Sequence, residues 1–295
     1  MFVWLRLLST HLRSQYILDN YKDYPYNQVC FKASHNSYEL GISITQQIEK
    51  GCMGLELDIA QSADGQNWSV EHDKDYFSDP DKQLSRYLKE LNTWSRDNPH
   101  HDVMTIHLDL KKVNFNSDTS TFPEEIDRYI RSNFDPAIIF CPQDLMGSKV
   151  SLADGARTNG WPKLKDLEGK FIFCLTGNDF LDRSQLAKKH YAATQPKERL
   201  CFTDLRKKRG TKPNPAKTIY FNYNFEDGIG KATDKEWTNV IKKFSGKDDV
   251  ITRTFGLNDD KKWQRALESG FNILVTDKIE ESWAKVADFS YFKIL

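Results

Sequence analysis

The sequence predicts an α/β protein, specifically a TIM-type (β/α)8 barrel, on three observations. Strand-like and helix-like runs alternate along the chain, the pattern of parallel βα units. Eight strand-like runs can be placed, the number that closes such a barrel. The 295 residues suit one barrel of roughly 250 residues with short terminal extensions.

In chain order the strand-like runs fall near residues 29–34, 54–59, 69–72, 104–110, 170–175, 218–222, 250–254 and 273–276, each a short apolar or alternating stretch between turn signals. Helical spacing occupies 42–50, 83–96, 124–133, 234–244 and 259–268, the last bounded by Asp259 as an N-cap and by Gly270 just past its end. Residues 134–166 and the Lys/Pro/Gly-rich 205–217 are the candidate insertions, and loops that long often form part of a site. The barrel is expected over 22–283. Residues 1–21 are expected as a helical N-terminal extension packed on it, and 284–295 as a C-terminal extension. The opening Met1-Phe2-Val3-Trp4-Leu5-Arg6-Leu7-Leu8 is too short, and too interrupted by Arg6, for a transmembrane helix. No small-x-small cleavage site follows, so it reads as a plug for the barrel bottom, or as a helix lying on lipid, and not as a signal peptide.

With 39% hydrophobic and 28% charged residues the chain is an ordinary soluble globule. Its 42 basic and 42 acidic residues cancel, so no global field recruits nucleic acid or an anionic membrane, and a charged ligand must be met locally. The run Arg206-Lys207-Lys208-Arg209 reads as a solvated loop, with phosphate contact as the alternative. Cysteines 30, 52, 141, 174 and 201 form no Cys-x-x-Cys pair and read as small core residues.

Three motifs carry the chemistry: Ala33-Ser34-His35-Asn36-Ser37-Tyr38, Gly54-Leu55-Glu56-Leu57-Asp58-Ile59 and Trp68-Ser69-Val70-Glu71-His72-Asp73. Two histidines bracket an acid-x-acid pair whose carboxylates share one strand face, because side chains alternate with period two. Two proton-transfer groups around a pair of oxygen ligands suit phosphodiester cleavage assisted by a hard cation. In a barrel, reactive groups collect at the C-terminal ends of the strands. Here His35 follows strand one, Asp58 closes strand two, His72 ends strand three and Asp109 ends strand four, so four consecutive strands supply one rim.

These residues resemble the calcium-dependent phosphatidylinositol-specific phospholipases C, in particular the compact single-barrel type within the PLC-like phosphodiesterases. The likeness extends through Leu91-Asn92-Thr93-Trp94-Ser95, Leu108-Asp109-Leu110-Lys111, Gly160-Trp161-Pro162, Leu167-Glu168-Gly169-Lys170-Phe171-Ile172-Phe173, Arg253-Thr254 and Ser269-Gly270-Phe271-Asn272-Ile273-Leu274-Val275-Thr276-Asp277, so it spans about 29–278. The resemblance implies attack of the inositol 2-hydroxyl on phosphorus, which expels diacylglycerol and leaves an inositol cyclic phosphate. It implies Asn36, Glu56, Asp58 and Asp109 as ligands of Ca²⁺, with Mg²⁺ as the other hard cation such a set could hold. It implies His35 as donor to the phosphoryl oxygen, His72 as acid for the departing glycerol oxygen, and either Glu56 or Asp109 as base. Asp109 stands where relatives usually carry glutamate, one methylene longer. Lys111 is a candidate phosphate contact, or a lysine snorkelling out of the rim, and Arg253 a phosphate or inositol contact, or a plain surface ion pair. Cys174 and Thr176 stand where larger relatives hold headgroup phosphates with lysines, which points to unphosphorylated phosphatidylinositol or a glycan-linked form.

Tyr38, Trp68 and Tyr76 are candidates to stack on a sugar or touch lipid, or simply to pack. His107 is expected as a satisfied core histidine, Glu71 faces outward, and Asp73 is a candidate to orient an imidazole. His100 and His101 fall at the opposite end from the rim, and His11 and His190 belong to no motif. A glycerophosphodiester phosphodiesterase, or another metal-assisted phosphodiesterase, is the rival enzyme reading, although Asn36-Ser37 replaces the Arg-Gly usual after its first histidine. A catalytically inactive barrel that binds lipid or protein is the rival of another class. The expected partner is a phospholipid surface, touched transiently by a monomer. Secretion follows by family analogy alone.

Overall fold

A computed structural model describes residues 21–72, 78–112, 122–177, 199–213, 219–225, 233–246, 249–287 and 292–295. The expected N-terminal helix, Asp73, Tyr76, His11 and His190 lie outside the described residues.

Eight parallel strands close a barrel. They are β1 (Val29–Ser34), β2 (Gly54–Gln61), β4 (Met104–Lys112), β5 (Phe171–Gly177), β6 (Phe202–Lys207), β7 (Tyr220–Asn224), β8 (Ile251–Phe255) and β9 (Ile273–Thr276). Each pairs in parallel with the next, and β1 closes the ring by pairing with β9 on one side and with β2 on the other through Ala33↔Gly54. A Cβ on Gly54 would lie 2.7 Å from the Ala33 Cβ, so the closing seam depends on a residue without a side chain. Two antiparallel strands flank the ring: β3 (Trp68–Val70) on β2, and β10 (Phe292–Ile294) on β1 with Val29↔Ile294 in register. The expected C-terminal extension therefore includes a strand of the sheet.

The barrel count was right and its membership was not. The run expected as the third parallel stave is the short return arm of a hairpin, with Ile59↔Val70 and Gln61↔Trp68 paired antiparallel. Residues 62–67 make the turn, with Gly65 at φ 74° and Ser62 N–H donating to Asn67 O at 2.9 Å. Trp68, Ser69 and Val70 are all buried, and a short apolar run reads alike whether its strand is parallel or antiparallel. The missing stave is β6, whose polar Thr203, Asp204 and Arg206 and following basic run imitate a loop. His72 lies two residues beyond β3, and Asp109 lies within β4, which runs on to Lys112. The rim is thus supplied by three staves and one hairpin.

Helices cover the apolar outer faces. α1 (Ile44–Glu49) opens with a Ser43–Gln46 capping box, and α2 (Leu84–Asp97) and α3 (Phe122–Asn133) are both strongly amphipathic by sequence. Two short helices, α4 (Pro142–Met146) and α5 (Leu152–Asn159), occupy the stretch expected as an insertion. Then follow α6 (Asp234–Lys242), with a Thr233–Glu236 capping box, and α7 (Asp260–Ser269), where Asp259 caps the Lys262 N–H and Gly270 takes φ 81° as expected. Leu55, Leu57, Ile59, Ile106, Leu108 and Leu110 are essentially fully buried and belong to one apolar cluster. All five cysteines are free thiols, four of them buried.

Candidate active site

The alternation that buries Leu55 and Leu57 turns Glu56 and Asp58 the other way, and register sets Asp58 beside Asp109 and Glu56 beside His107. Glu56, Asp58 and Asp109 each offer a carboxylate oxygen within 4.8 Å of the others, and all three are buried. Asp58 and Asp109 divide their oxygens in the same way. Each Oδ2 meets the Lys111 ammonium, at 3.2 and 2.6 Å respectively, and each Oδ1 is buried without a hydrogen-bond partner among the described residues. Two orphaned oxygens in a buried carboxylate cluster fit a hard divalent cation, which takes oxygen ligands in flexible geometry. Asn36 follows β1 with φ 42°, the single positive-φ residue other than glycine among the described residues, and its amide donates to Glu39 Oε2 at 3.3 Å. The convergent group among the expected ligands is the three carboxylates.

Each histidine is held through Nδ1 by an acid. His35 Nδ1 donates to Asp277 Oδ1 at 2.8 Å, which leaves Nε2 directed at the cluster, 3.9 Å from Glu56 Oε2. Burial lowers the His35 pKa, but the Glu56 charge and the Asp277 hydrogen bond outweigh it, so the ring holds its proton more firmly than an ordinary histidine. Its plane stacks on Phe255 at 5.8 Å and 8°. His72 Nδ1 lies 2.6 Å from Asp58 Oδ2, and its side chain is 46% exposed. The hairpin explains the meeting: the chain leaves the rim along β2, reverses, and returns so that Glu71 N–H donates to Asp58 O at 3.0 Å.

The loop after β1 is pinned from below. Ser37 Oγ sits 2.6 Å from Ser34 Oγ and accepts from Glu56 N at 2.8 Å, while Gln47 Nε2 donates to Ser37 O at 2.6 Å. These bonds tie the His35 turn to the strand that carries the carboxylates. Tyr38 donates to Asp58 Oδ2 at 3.0 Å, so it supports the cluster, whereas Trp68 is fully buried in the core. Glu71 pairs with Lys82 at 3.0 Å.

Charges within the site are strongly coupled. Burial, then the Asp109 and Glu56 charges, push Asp58 up to about 6. Burial pushes Glu56 upward too, but the adjoining Arg253 guanidinium brings it below its ordinary value. Burial lowers Lys111, and Asp109 and Asp58 more than restore it, so the ammonium stays charged. Arg253 corrects an expectation. Expected at the end of its strand, it lies inside β8 and is 2% exposed, with Nη2 2.6 Å from Glu56 Oε2 and Nη1 2.9 Å from Asn222 Oδ1. His107 corrects another: it is buried as expected, yet its Nε2 has no partner among the described residues.

Residue-by-residue reading missed three groups. Asp277 directly follows the last stave, and an acid at the end of an apolar run is the same signal that marked Asp58. Asp204 escaped because no strand was expected at 202–207, part of which was read as an insertion, and Asn222 lay in an expected strand without being weighed as a site residue.

The family described as phosphoinositide phospholipase C, Ca²⁺-dependent, matches residues 72–292. The chain belongs to that family. As a Ca²⁺-dependent phosphoinositide phospholipase C family member, it is an enzyme of the phosphoric diester hydrolase class. His35, Asn36, Glu56 and Asp58 precede the matched stretch, so their place in the site rests on the geometry above. The barrel is similar to the calcium-dependent phosphoinositol-specific phospholipase C of a Gram-negative Pseudomonas species, with 20% identity and a TM-score of 0.73 over 94% of this chain and 97% of that one. The Ca²⁺-dependent phosphatidylinositol-specific phospholipase C of Streptomyces antibioticus is similar at 18% identity and a TM-score of 0.68, covering 87% and 95%. A glycerophosphodiester phosphodiesterase from Parabacteroides distasonis shares the fold more distantly, at 13% identity and a TM-score of 0.52, covering 85% and 94%. No curated protein sequence matches the chain. Among the described residues, no helix is long and apolar enough to cross a membrane.

Proposed function

We propose that this enzyme cleaves phosphatidylinositol, or a closely related inositol phospholipid, to diacylglycerol and inositol cyclic phosphate by attack of the inositol 2-hydroxyl on phosphorus. One observation supports this above all: two imidazoles, each tethered at Nδ1 by a carboxylate, stand on either side of a buried three-carboxylate cluster with orphaned oxygens.

Glu56, Asp58 and Asp109 would hold Ca²⁺, with Asn36 beside them, and bound calcium would lower the hydroxyl's pKa and neutralise charge on the phosphoryl oxygens. We favour calcium over magnesium because unequal, partly committed carboxylates suit its looser coordination. Nε2 of His35, locked by Asp277, donates to the phosphoryl oxygen. His72, the more exposed of the pair, protonates the departing glycerol oxygen, a step worth about 10²–10⁴-fold. Either Glu56 or Asp109 would take the 2-hydroxyl proton, and Asp109 keeps an Oδ1 with no hydrogen-bond partner among the described residues. Lys111 neutralises the cluster and stands ready to face phosphate.

Headgroup choice follows from what the floor lacks. Cys174 and Thr176 are buried and uncharged where a headgroup phosphate would need a cation, which supports the unphosphorylated ring. Docking on the bilayer would be weak and reversible, made by a monomer and without nucleic acid. Phosphorus NMR of the products from phosphatidylinositol tests the reading: a cyclic phosphate signal is expected. Direct release of an acyclic phosphomonoester with no cyclic intermediate would replace internal attack by hydrolysis of the glycerophosphodiesterase kind.

A further inference from the structure

Asp204 lies inside the barrel on β6, 3% exposed, and neither of its carboxylate oxygens has a partner in hydrogen-bond geometry among the described residues. Thr176, whose hydroxyl oxygen accepts from Asn222 Nδ2 at 3.1 Å, keeps its own hydrogen to turn toward Asp204 and eases the carboxylate's burial, without reaching full hydrogen-bond geometry. A buried carboxylate left in that state is among the most costly groups a core can hold. After burial itself, the strongest influence on Asp204 is the charge of Arg253. Arg253 is equally unfinished: Nη1 and Nη2 are committed to Asn222 and Glu56, and the buried Nε has no partner. Asp204 pairs with Tyr220 and Arg253 with Asn222, so the two flank β7 at adjacent layers, with Asn222 between them.

Calcium on Glu56 raises a problem for this arrangement. An arginine cannot lose its proton, and at 2% exposure Arg253 cannot move its charge into water. Two cations on one carboxylate repel, so the guanidinium needs another acid within reach. Asp127 is taken by Arg199 and Asp277 by His35, whereas Asp204 has no ion-pair partner among the described residues and only Thr176 beside it. A soft metal held by His107, Cys174 and Asp204, whose ligand atoms also lie within 4.8 Å of one another, would set a further cation beside the guanidinium and aggravate the repulsion.

We propose that Asp204 is the second berth of Arg253: the guanidinium neutralises Glu56 in the cation-free protein and turns to Asp204 when calcium takes Glu56. Asp204 is then a positioning residue that sets how readily the carboxylate cluster gives up its internal counter-ion. The inference rests on the reading of Glu56 as a calcium ligand.

Calorimetric titration of the full chain with calcium, without substrate, tests it. Asp204→Asn should weaken calcium binding about tenfold, a coupling of the size found between contacting charged groups. In an Arg253→Met background the same change should have no further effect. Equal affinity in Asp204→Asn overturns the proposal, and so does an equal weakening in the Arg253→Met background, which would reduce Asp204 to a through-space charge. A wild-type chain that binds no calcium overturns the metal reading itself, and is told apart by that control. The side-chain Nε–H signal of Arg253 gives a readout that needs no mutant to fold: it should shift when calcium is added to the wild-type protein, and an unmoved signal contradicts the berth.

Discussion

Asp58 is the residue on which the site's opposing demands meet. Its Oδ2 receives Tyr38, His72 and Lys111, its Oδ1 receives nothing among the described residues, and burial beside Asp109 and Glu56 lifts it to about 6. A cation needs the ionised form, so calcium affinity should fall as pH drops through about 6, as titrations at several pH values would reveal. For the cation-free fold the sign reverses. A raised pKa contributes stability that is full below 3.8 and lost as pH climbs through about 6. His35→Ala and His72→Ala should each reduce turnover by at least about 10²-fold with the circular dichroism spectrum unchanged, and near-normal rates would dismiss their assignment. Asp277→Asn should lower kcat and shift the His35 limb of the pH–rate profile to lower pH, because the hydrogen bond and charge that raise the ring are lost. The acid-x-acid pair and both histidines were legible at this scale. Arg253 was legible as a residue but not as the buried partner of Glu56, because burial inside a barrel is not written in a three-residue neighbourhood.

At the scale of elements, the β2–β3 hairpin does what a stave could not. A parallel connection needs a crossover of roughly a dozen or more residues, and the six at 62–67 allow only a reversal. That length, with Asp64-Gly65 inside it, was a readable signal that apolar content hid. The reversal is what sets His72 against Asp58, on a segment that needs no stave of its own. The seam between β1 and β2 is the other element-level constraint. Gly54→Ala would press a methyl to 2.7 Å of Ala33 Cβ, and overpacking of this kind costs about 1–3 kcal/mol. Thermal unfolding should show a lowered midpoint, and an unchanged one would mean that the seam opens freely. β6 stayed hidden because Asp204 and Arg206 make a buried barrel strand look like a loop.

Across the whole molecule, 42 positive and 42 negative side chains leave no long-range field, so the carboxylate cluster must bind its cation by local geometry. Calcium that binds only the folded barrel should stabilise it by about 2.7 kcal/mol at a concentration one hundred times its dissociation constant. Differential scanning calorimetry should record a higher midpoint with calcium and a return on chelation, and chelation should abolish activity in parallel. A midpoint indifferent to calcium would count against the site. The sequence by itself determined the barrel, the outward apolar and inward acidic faces of β2, and the residue types of the chemistry, because alternation and composition are local properties of the chain. Only the tertiary structure decided which eight strands close the ring, that His72 arrives by reversal, that Asp277 locks His35, and that Arg253 and Lys111 neutralise the cluster from within. Those are contacts between residues up to 242 positions apart, and they exist only once register and closure bring distant strands to a common interior.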